Sequence, residues 1–453
     1  MKSVCLSWTR VKKTAGAIVL LVVGACPSLS SPLPEQLKGH GGPIEAIALS
    51  RDGGRALTAS FDYGIIYWDL SGSQARIIHR LNGHDGAVSD VTFVPGEKRA
   101  VSGSADGSIG LWDLDKGTLI KRIKAENYKV HDVSVSGDGR YAAAARWDGT
   151  AKLYDLEKQE ELATLRGHKG NVFGVTFSAD AKYLYSAAYD GQIIEWDVES
   201  QKMIRPIYRH GWGVNTIARI DDNRLLFGGL DGTVGMVGIE EAEKLAELSK
   251  SSRPIQSVKV SSDGKFMAYG DGAGTISVFE VKDGEPVGEA PVALGPIWDF
   301  DFVPGTNLIY HVGLDDFAAL WQVSPPDFSP PKSKYPRRFQ VRDTDDPGEL
   351  EFRRKCSVCH TLTPDGANRA GPTLYKIFGR RVGSLPGYLY SEALLDASFR
   401  WNEGTIAQLF DEGPDVMLPG TKMPLQRLTD TSRRDALIRF LKTATEPEQP
   451  PLK

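Results

Sequence analysis

Residues 83–114 read GHDGAVSDVTFVPGEKRAVSGSADGSIGLWDL, and the same line recurs at 39–70 (GHGGPIEAIALSRDGGRALTASFDYGIIYWDL) and 167–198 (GHKGNVFGVTFSADAKYLYSAAYDGQIIEWDV). Fainter copies close at LYDL (153–156), MVGI (236–239), VFEV (278–281) and LWQV (320–323). A closing hydrophobic residue therefore falls at 70, 114, 156, 198, 239, 281 and 323, spaced 41 to 44 residues apart. A sustained period of this length marks a repeat architecture. Within each copy apolar residues alternate with polar ones, as in Val88-Ser89-Asp90-Val91-Thr92-Phe93, until Pro-Gly, Asp-Gly or Ser-Asp-Gly interrupts them. Period-two alternation between such turn signals predicts short antiparallel strands joined by hairpins.

The chain around these repeats has 453 residues, room for two to four domains. It is 41% hydrophobic and 25% charged, as soluble globular chains are, and 48 glycines with 26 prolines imply many turns. A formal charge of −4, with no long Lys/Arg tract beyond the extreme N-terminus, gives no electrostatic argument for a nucleic-acid partner. Residues 1–30 follow the order of an export signal: Lys2, Arg10, Lys12 and Lys13, an apolar run from Ala15 to Ala25, then Pro27 and a Ser/Pro-rich stretch. That run is too short to cross about 30 Å of hydrocarbon as a helix, so a membrane span is not expected. Val23-Gly24-Ala25 is an ordinary small-residue cleavage site, the favoured reading. With Cys26 it also resembles a bacterial lipoprotein signal, which would anchor a periplasmic protein through a lipid on Cys26. The other cysteines are Cys5, Cys356 and Cys359, so the body between 27 and 355 has no thiol and is not stapled by disulfides.

The repeats resemble the WD40 family in their Gly-His openings, in the Asp before the last strand and in their Trp-Asp endings. The resemblance covers nearly two thirds of the chain and implies an all-β, seven-bladed propeller over 33–323, with Leu33–Lys38 supplying the outer strand of the last blade. It also implies a hydrogen-bonded chain of His, Ser or Thr, Asp and Trp in each good blade. His84, Ser104, Asp106 and Trp112 fit that chain, as do the sets His40/Asp62/Trp68 and His168/Asp190/Trp196. Their recurrence at a fixed place in the repeat marks them as scaffold rather than catalyst. Tyr154, Val237 and Ala273 break the pattern in blades 3, 5 and 6, which are expected to be less rigid. No phosphate loop, nucleophile motif or metal spacing occurs in 35–323. Propellers bind partners on their flat faces, and Trp147, Trp212 and Trp298 lie outside the repeating Trp position, either as anchors for a partner or packed in their blades.

Residues 324–347 (SPPDFSPPKSKYPRRFQVRDTDDP) carry six prolines and read as a semi-rigid linker. Beyond it lies Cys356-Ser357-Val358-Cys359-His360, a C-x-x-C-H run that in an exported protein reads as covalent c-type haem attachment. Two thiols three residues apart on a helical turn reach the two vinyl groups of one porphyrin, and the following His projects toward the iron. A thioredoxin-like pair would need a βαβ setting and a zinc site more Cys ligands, and neither is present.

Residues 348–445, before a short tail at 446–453, resemble class I cytochromes c of the mitochondrial and bacterial c2 type, an all-α fold, almost end to end. Gly348, Phe352, Leu437 and Phe440 match the residues that pack the first and last helices of that family. Gly371-Pro372 matches the turn whose carbonyl orients the haem histidine. Phe378-Gly379-Arg380, Pro386-Gly387-Tyr388, Tyr390 and Trp401 match the crevice wall, where Arg380, Tyr390 and Trp401 would bind a propionate. Within PGTKM (419–423), Met423 matches the second axial ligand opposite His360, with Pro424 restricting its backbone. Met417 reads as a packed hydrophobe, and Leu409 stands where the family usually has a Tyr. The resemblance implies one covalent haem c and single-electron transfer, the propeller serving as a dock for redox partner proteins. A haem-linked redox sensor, or an oxidoreductase of the quinohaemoprotein type, is the alternative. Quinohaemoprotein propellers carry tryptophan-rich blade motifs, which these repeats lack.

Overall fold

A computed structural model describes residues 33–124, 128–323, 344–357, 359–364, 371–386, 388, 390–418, 421, 423 and 427–445. The signal at 1–30 with Cys26, linker residues 324–343 and the tail at 446–453 lie outside the described residues.

Seven antiparallel sheets of four strands follow one another along the chain. In blade 2 Val88–Phe93 is innermost, followed outward by Arg99–Ser104, Ser108–Asp113 and Thr118–Lys124. The alternation read in the sequence buries one row of each strand against the next blade. Ala46, Leu57, Ala59 and Leu81 of blade 1 pack with Val88, Val91, Ala100 and Trp112 of blade 2. Blade 7 is completed from the start of the propeller: Gln36–Lys38 pairs with Phe317–Gln322, setting Gln36 opposite Ala319 and Lys38 opposite Phe317. The ring is thus closed by strand pairing, as expected for Leu33–Lys38, and closure protects edges that would otherwise recruit other strands.

The innermost strand of every blade carries a register shift after its first residue, as between Val88 and Asp90 in blade 2 or Ile297 and Asp299 in blade 7. A bulge of this kind re-aims the residues that follow it. Here it turns carboxylates toward the neighbouring blade. Asp90 accepts from the Val133 N–H at 2.8 Å, Asp132 from Val175 at 2.7 Å and Asp299 from Ile47 at 3.1 Å. Two residues on, Asp301 accepts from Leu49 at 2.8 Å. These acids line the central channel together with Lys259. Burial raises Asp90 and Asp132, and pushes Asp301 up to about 6 against the pull of Lys259.

The scaffold chain forms with one correction: its hydroxyl in blade 2 belongs to Ser102, not Ser104. Trp112 donates to Ser102 at 2.8 Å, Ser102 lies 2.7 Å from His84 Nε2, and His84 Nδ1 faces Asp106 at 3.3 Å. Both serines point to the same side of the strand. Ser102 lies opposite Gly110 at the depth of the indole nitrogen, whereas Ser104, at the strand end, donates to the Ala87 carbonyl and accepts from the Asp106 N–H. Blade 1 uses His40, Thr58, Asp62 and Trp68, and blade 4 uses His168, Ser186, Asp190 and Trp196. Two of the irregular blades keep substitutes. In blade 5 His210 bonds Asp231 at 2.9 Å, and in blade 6 Asp271 accepts from Ser251 and from the N–H groups of Ala273 and Thr275. Trp147 and Trp212 are exposed, while Trp298 is half-buried with its ring centroid 5.9 Å from that of Phe61.

The C-terminal region is helical: α1 (Pro347–Lys355), α2 (Glu392–Asp396), α3 (Glu403–Glu412), α4 (Pro414–Met417) and α5 (Thr431–Thr445). No helix among the described residues is long and apolar enough to cross a membrane.

Ser102→Ala is expected to cost the propeller about 1–3 kcal/mol, because it leaves buried His84 and Trp112 nitrogens without their partner. Denaturant unfolding of the full chain checks this, and an unchanged midpoint contradicts it. Asp301 holds its proton more tightly folded than unfolded, so its contribution is complete below about pH 4 and lost as pH rises through about 6. Asp301→Asn should therefore flatten the fall in stability between pH 4 and 7 by about 2–3 kcal/mol; parallel stability curves for variant and wild type would contradict this.

Candidate functional site

The site begins with the contact between α1 and α5. Asp346 caps α1 by accepting from the Gly348 N–H at 2.7 Å, and Pro347, read in the sequence as the last linker residue, is the first residue of the helix. A Cβ on Gly348 would lie 2.1 Å from the Ala436 carbonyl oxygen, so the two helices approach this closely only with glycine there. The rings of Phe352 and Phe440 sit 5.6 Å apart beside the fully buried Leu437. Arg433 donates twice across the helices to Glu351, at 2.9 and 2.7 Å.

Past Lys355 the chain makes one more turn. Cys356 N–H donates to Phe352, Cys359 N–H to Cys356 at 3.1 Å, and His360 N–H to Cys356 at 2.9 Å. Both thiols and the imidazole are thereby presented to one crevice of about 1120 Å³ of empty space, measured out to its open mouth. Cys356, Cys359, His360, Pro372, Arg380, Tyr390, Trp401 and Met423 all line it. Tyr388 and Leu409 are also on its wall, while Met417 packs against the hydrophobic core of the helices. Val358, Gly387, Pro419, Gly420, Lys422 and Pro424 lie outside the described residues.

His360 Nδ1 lies 2.7 Å from the Pro372 carbonyl oxygen, which makes Nδ1 the donor and leaves a lone pair on Nε2. Gly371 permits this orientation, because a Cβ there would stand 2.3 Å from the imidazole Cε1. Burial holds His360 below the usual histidine range, in its neutral form. Burial also pushes the Cys356 thiol up to about 12 and the Cys359 thiol up to about 11. Arg380 is held by the Thr373 and Tyr375 carbonyls at 2.7 and 3.2 Å, and its own carbonyl accepts from Trp401 N–H. Tyr390 accepts from the Leu385 N–H and packs edge-on to Tyr388. Met423 N–H donates to the Thr421 hydroxyl at 3.2 Å. Apart from Lys355, Ser391 and Thr421 the remaining walls are mostly apolar, with Leu374, Ile377, Ile406, Phe410 and Leu418 among them, which no motif had singled out. Tyr63 of the propeller also lines the crevice, and sequence reasoning missed it.

A family model described as the IFT122 first beta-propeller matches residues 23–280, more than half of the chain. The helical region is similar to curated cytochromes c. That of Gibberella zeae is 38% identical over 95 residues, 21% of this chain and 89% of that protein. That of Arabidopsis thaliana is 37% identical over 95 residues, again 21% of this chain and 84% of that protein, and that of Sesamum indicum is 40% identical over 100 residues, 22% and 87%. The chain belongs to that propeller family and, in its C-terminal region, to cytochrome c. The match to the propeller model stops in blade 6, and the seventh blade is supplied by the strands already described. The cytochrome c domain in turn accounts for the tight glycine at 348 and for the crevice facing the end of α1.

Gly348→Ala is expected to destabilise the cytochrome c domain by about 1–3 kcal/mol, since the added methyl meets backbone that cannot step aside. Loss of helical circular dichroism on heating measures it, and an unchanged melting point would contradict the proposed close contact.

Proposed function

We propose that this chain is an exported c-type cytochrome that carries one electron on a single covalent haem, its propeller docking redox partner proteins. One observation carries the reading: two thiols, a neutral imidazole and a thioether share one apolar crevice. This donor set fits haem c: Cys356 and Cys359 would carry the thioether links, and His360 and Met423 would bind the iron. When bound, the haem supplies a one-electron iron couple.

The chain's own residues do the rest. Pro372 fixes the His360 tautomer by accepting from Nδ1, which raises the basicity of Nε2. Arg380 brings a positive charge with no carboxylate partner among the described residues to the crevice wall, where with Tyr390 and Trp401 it would pair with a buried propionate. The largely apolar walls exclude water, which would favour the less charged ferrous state of a bound haem. With His360 and Met423 both bound to the iron, no position would remain for a substrate, which favours a carrier over an enzyme.

Export is supported by the order of charge, apolar run and small residues in 1–30, and by a haem-attachment motif that suits a periplasmic protein, soluble or lipid-anchored at Cys26. Exposed Trp147 and Trp212 supply the kind of anchors a partner protein would use. Redox sensing is the second reading, favoured by Leu409, an apolar residue on the crevice wall where the family has a hydroxyl near the methionine.

Visible spectroscopy of the purified full chain tests the assignment. A sulfur-ligated ferric charge-transfer band is expected in the wild type and should vanish in Met423→Ala. Persistence of the band in the variant refutes the ligand, and high-spin iron that readily binds carbon monoxide in the wild type selects the sensor.

A further inference from the structure

Tyr63 occupies a place that glycine fills in five of the other six blades, blade 7 having Asp316 there. In blades 2 to 6 the residue before the third strand is Gly107, Gly149, Gly191, Gly232 or Gly274, each with φ between 77° and 95°. Blade 1 has the same left-handed turn, with φ 69°, but fills it with a tyrosine. A bulky L-residue is strained there, and such strain persists only where the surroundings enforce it. The enforcement is visible. Asp62 is gripped by His40 at 3.0 Å and accepts from the Gly41 and Gly64 N–H groups, while Tyr63 N–H donates to the Ser60 carbonyl at 3.2 Å. The scaffold chain of blade 1 thus holds the turn rigid. The Tyr63 side chain is half-buried and lies on the wall of the haem crevice with Cys359, Tyr388 and Met423. Cys359 and Tyr388 are close enough to act on its phenol electrostatically.

We infer that Tyr63 is a positioning residue of the haem site: the first propeller blade closes the crevice at its Cys359 edge and keeps water from the haem. This rests on the proposed haem reading and adds to it a role for the propeller besides docking. The two domains then form one redox unit, in which solvent exposure of the haem, one of the levers on its potential, is set by a residue some 300 positions upstream of the attachment motif.

The test uses the full haem-loaded chain, with Tyr63→Gly and Tyr63→Phe compared with wild type by redox titration. Glycine suits the backbone of this turn, so the propeller should unfold no more easily. Opening the crevice to water stabilises the ferric state, so the Fe(II)/Fe(III) equilibrium at a given poise should shift toward ferric by about tenfold, or 59 mV for one electron. Tyr63→Phe, which keeps the ring, should stay at the wild-type potential. An unchanged potential in Tyr63→Gly, with the sulfur band intact, overturns this inference alone. A wild-type chain without haem overturns the functional reading and this inference with it.

Discussion

The separation of helices α1 and α5 is set at Gly348, where a methyl group would lie 2.1 Å from the Ala436 carbonyl oxygen. Packing this tight leaves α1 little freedom to slide or roll, and Phe352, Phe440 and the Glu351–Arg433 pair lock it further. The turn that follows α1 then has one course, and on it stand Cys356, Cys359 and His360. The rest of the wall, with Trp401, Ile406 and Met423, belongs to the later helices and loops that pack on the same core. The haem proposed for this crevice would depend on this spacing, since fixed donors cost less to bring to the iron than donors that must first be ordered.

The propeller solves a different problem with the same economy. Its ring is closed by three short residues of strand, and its blades are stitched at the channel by carboxylates that accept from the next blade's backbone. Those acids are buried at a cost visible in the raised affinity of Asp90, Asp132 and Asp301 for protons. In contrast, Asp62 and Asp106 are held below the ordinary carboxylate range by their histidines, despite their own burial. Two sets of aspartates thus respond to acid in opposite directions, one welding blade to blade and the other bracing turns within a blade.

The repeat and the haem motif were legible because both rest on local order: turn residues at fixed offsets, and three reactive groups within five positions. Depth was not. Ser102 and Ser104 share a strand face, and only the three-dimensional level of the Trp112 indole decides between them. The His210–Asp231 pair was hidden because its blade lacks the Trp and its spacing is one residue shorter than the 22 of the others. The apolar crevice walls were invisible for another reason, since Leu374, Ile406 and Leu418 come from separate segments with no motif to join them. Tyr63 did leave a signal, a tyrosine in a glycine column, but what it faces is a matter of tertiary structure alone.

All of this presumes that Cys356 and Cys359 are the covalent anchors of one macrocycle. The most direct measurement is the intact mass of the denatured mature chain, recovered from a host that attaches haem in its periplasm. The account predicts a chain lacking its first 25 residues and carrying one haem that stays bound through denaturation, located by fragmentation on the segment containing both cysteines. A chain of unmodified mass, with both thiols free to react, would contradict it.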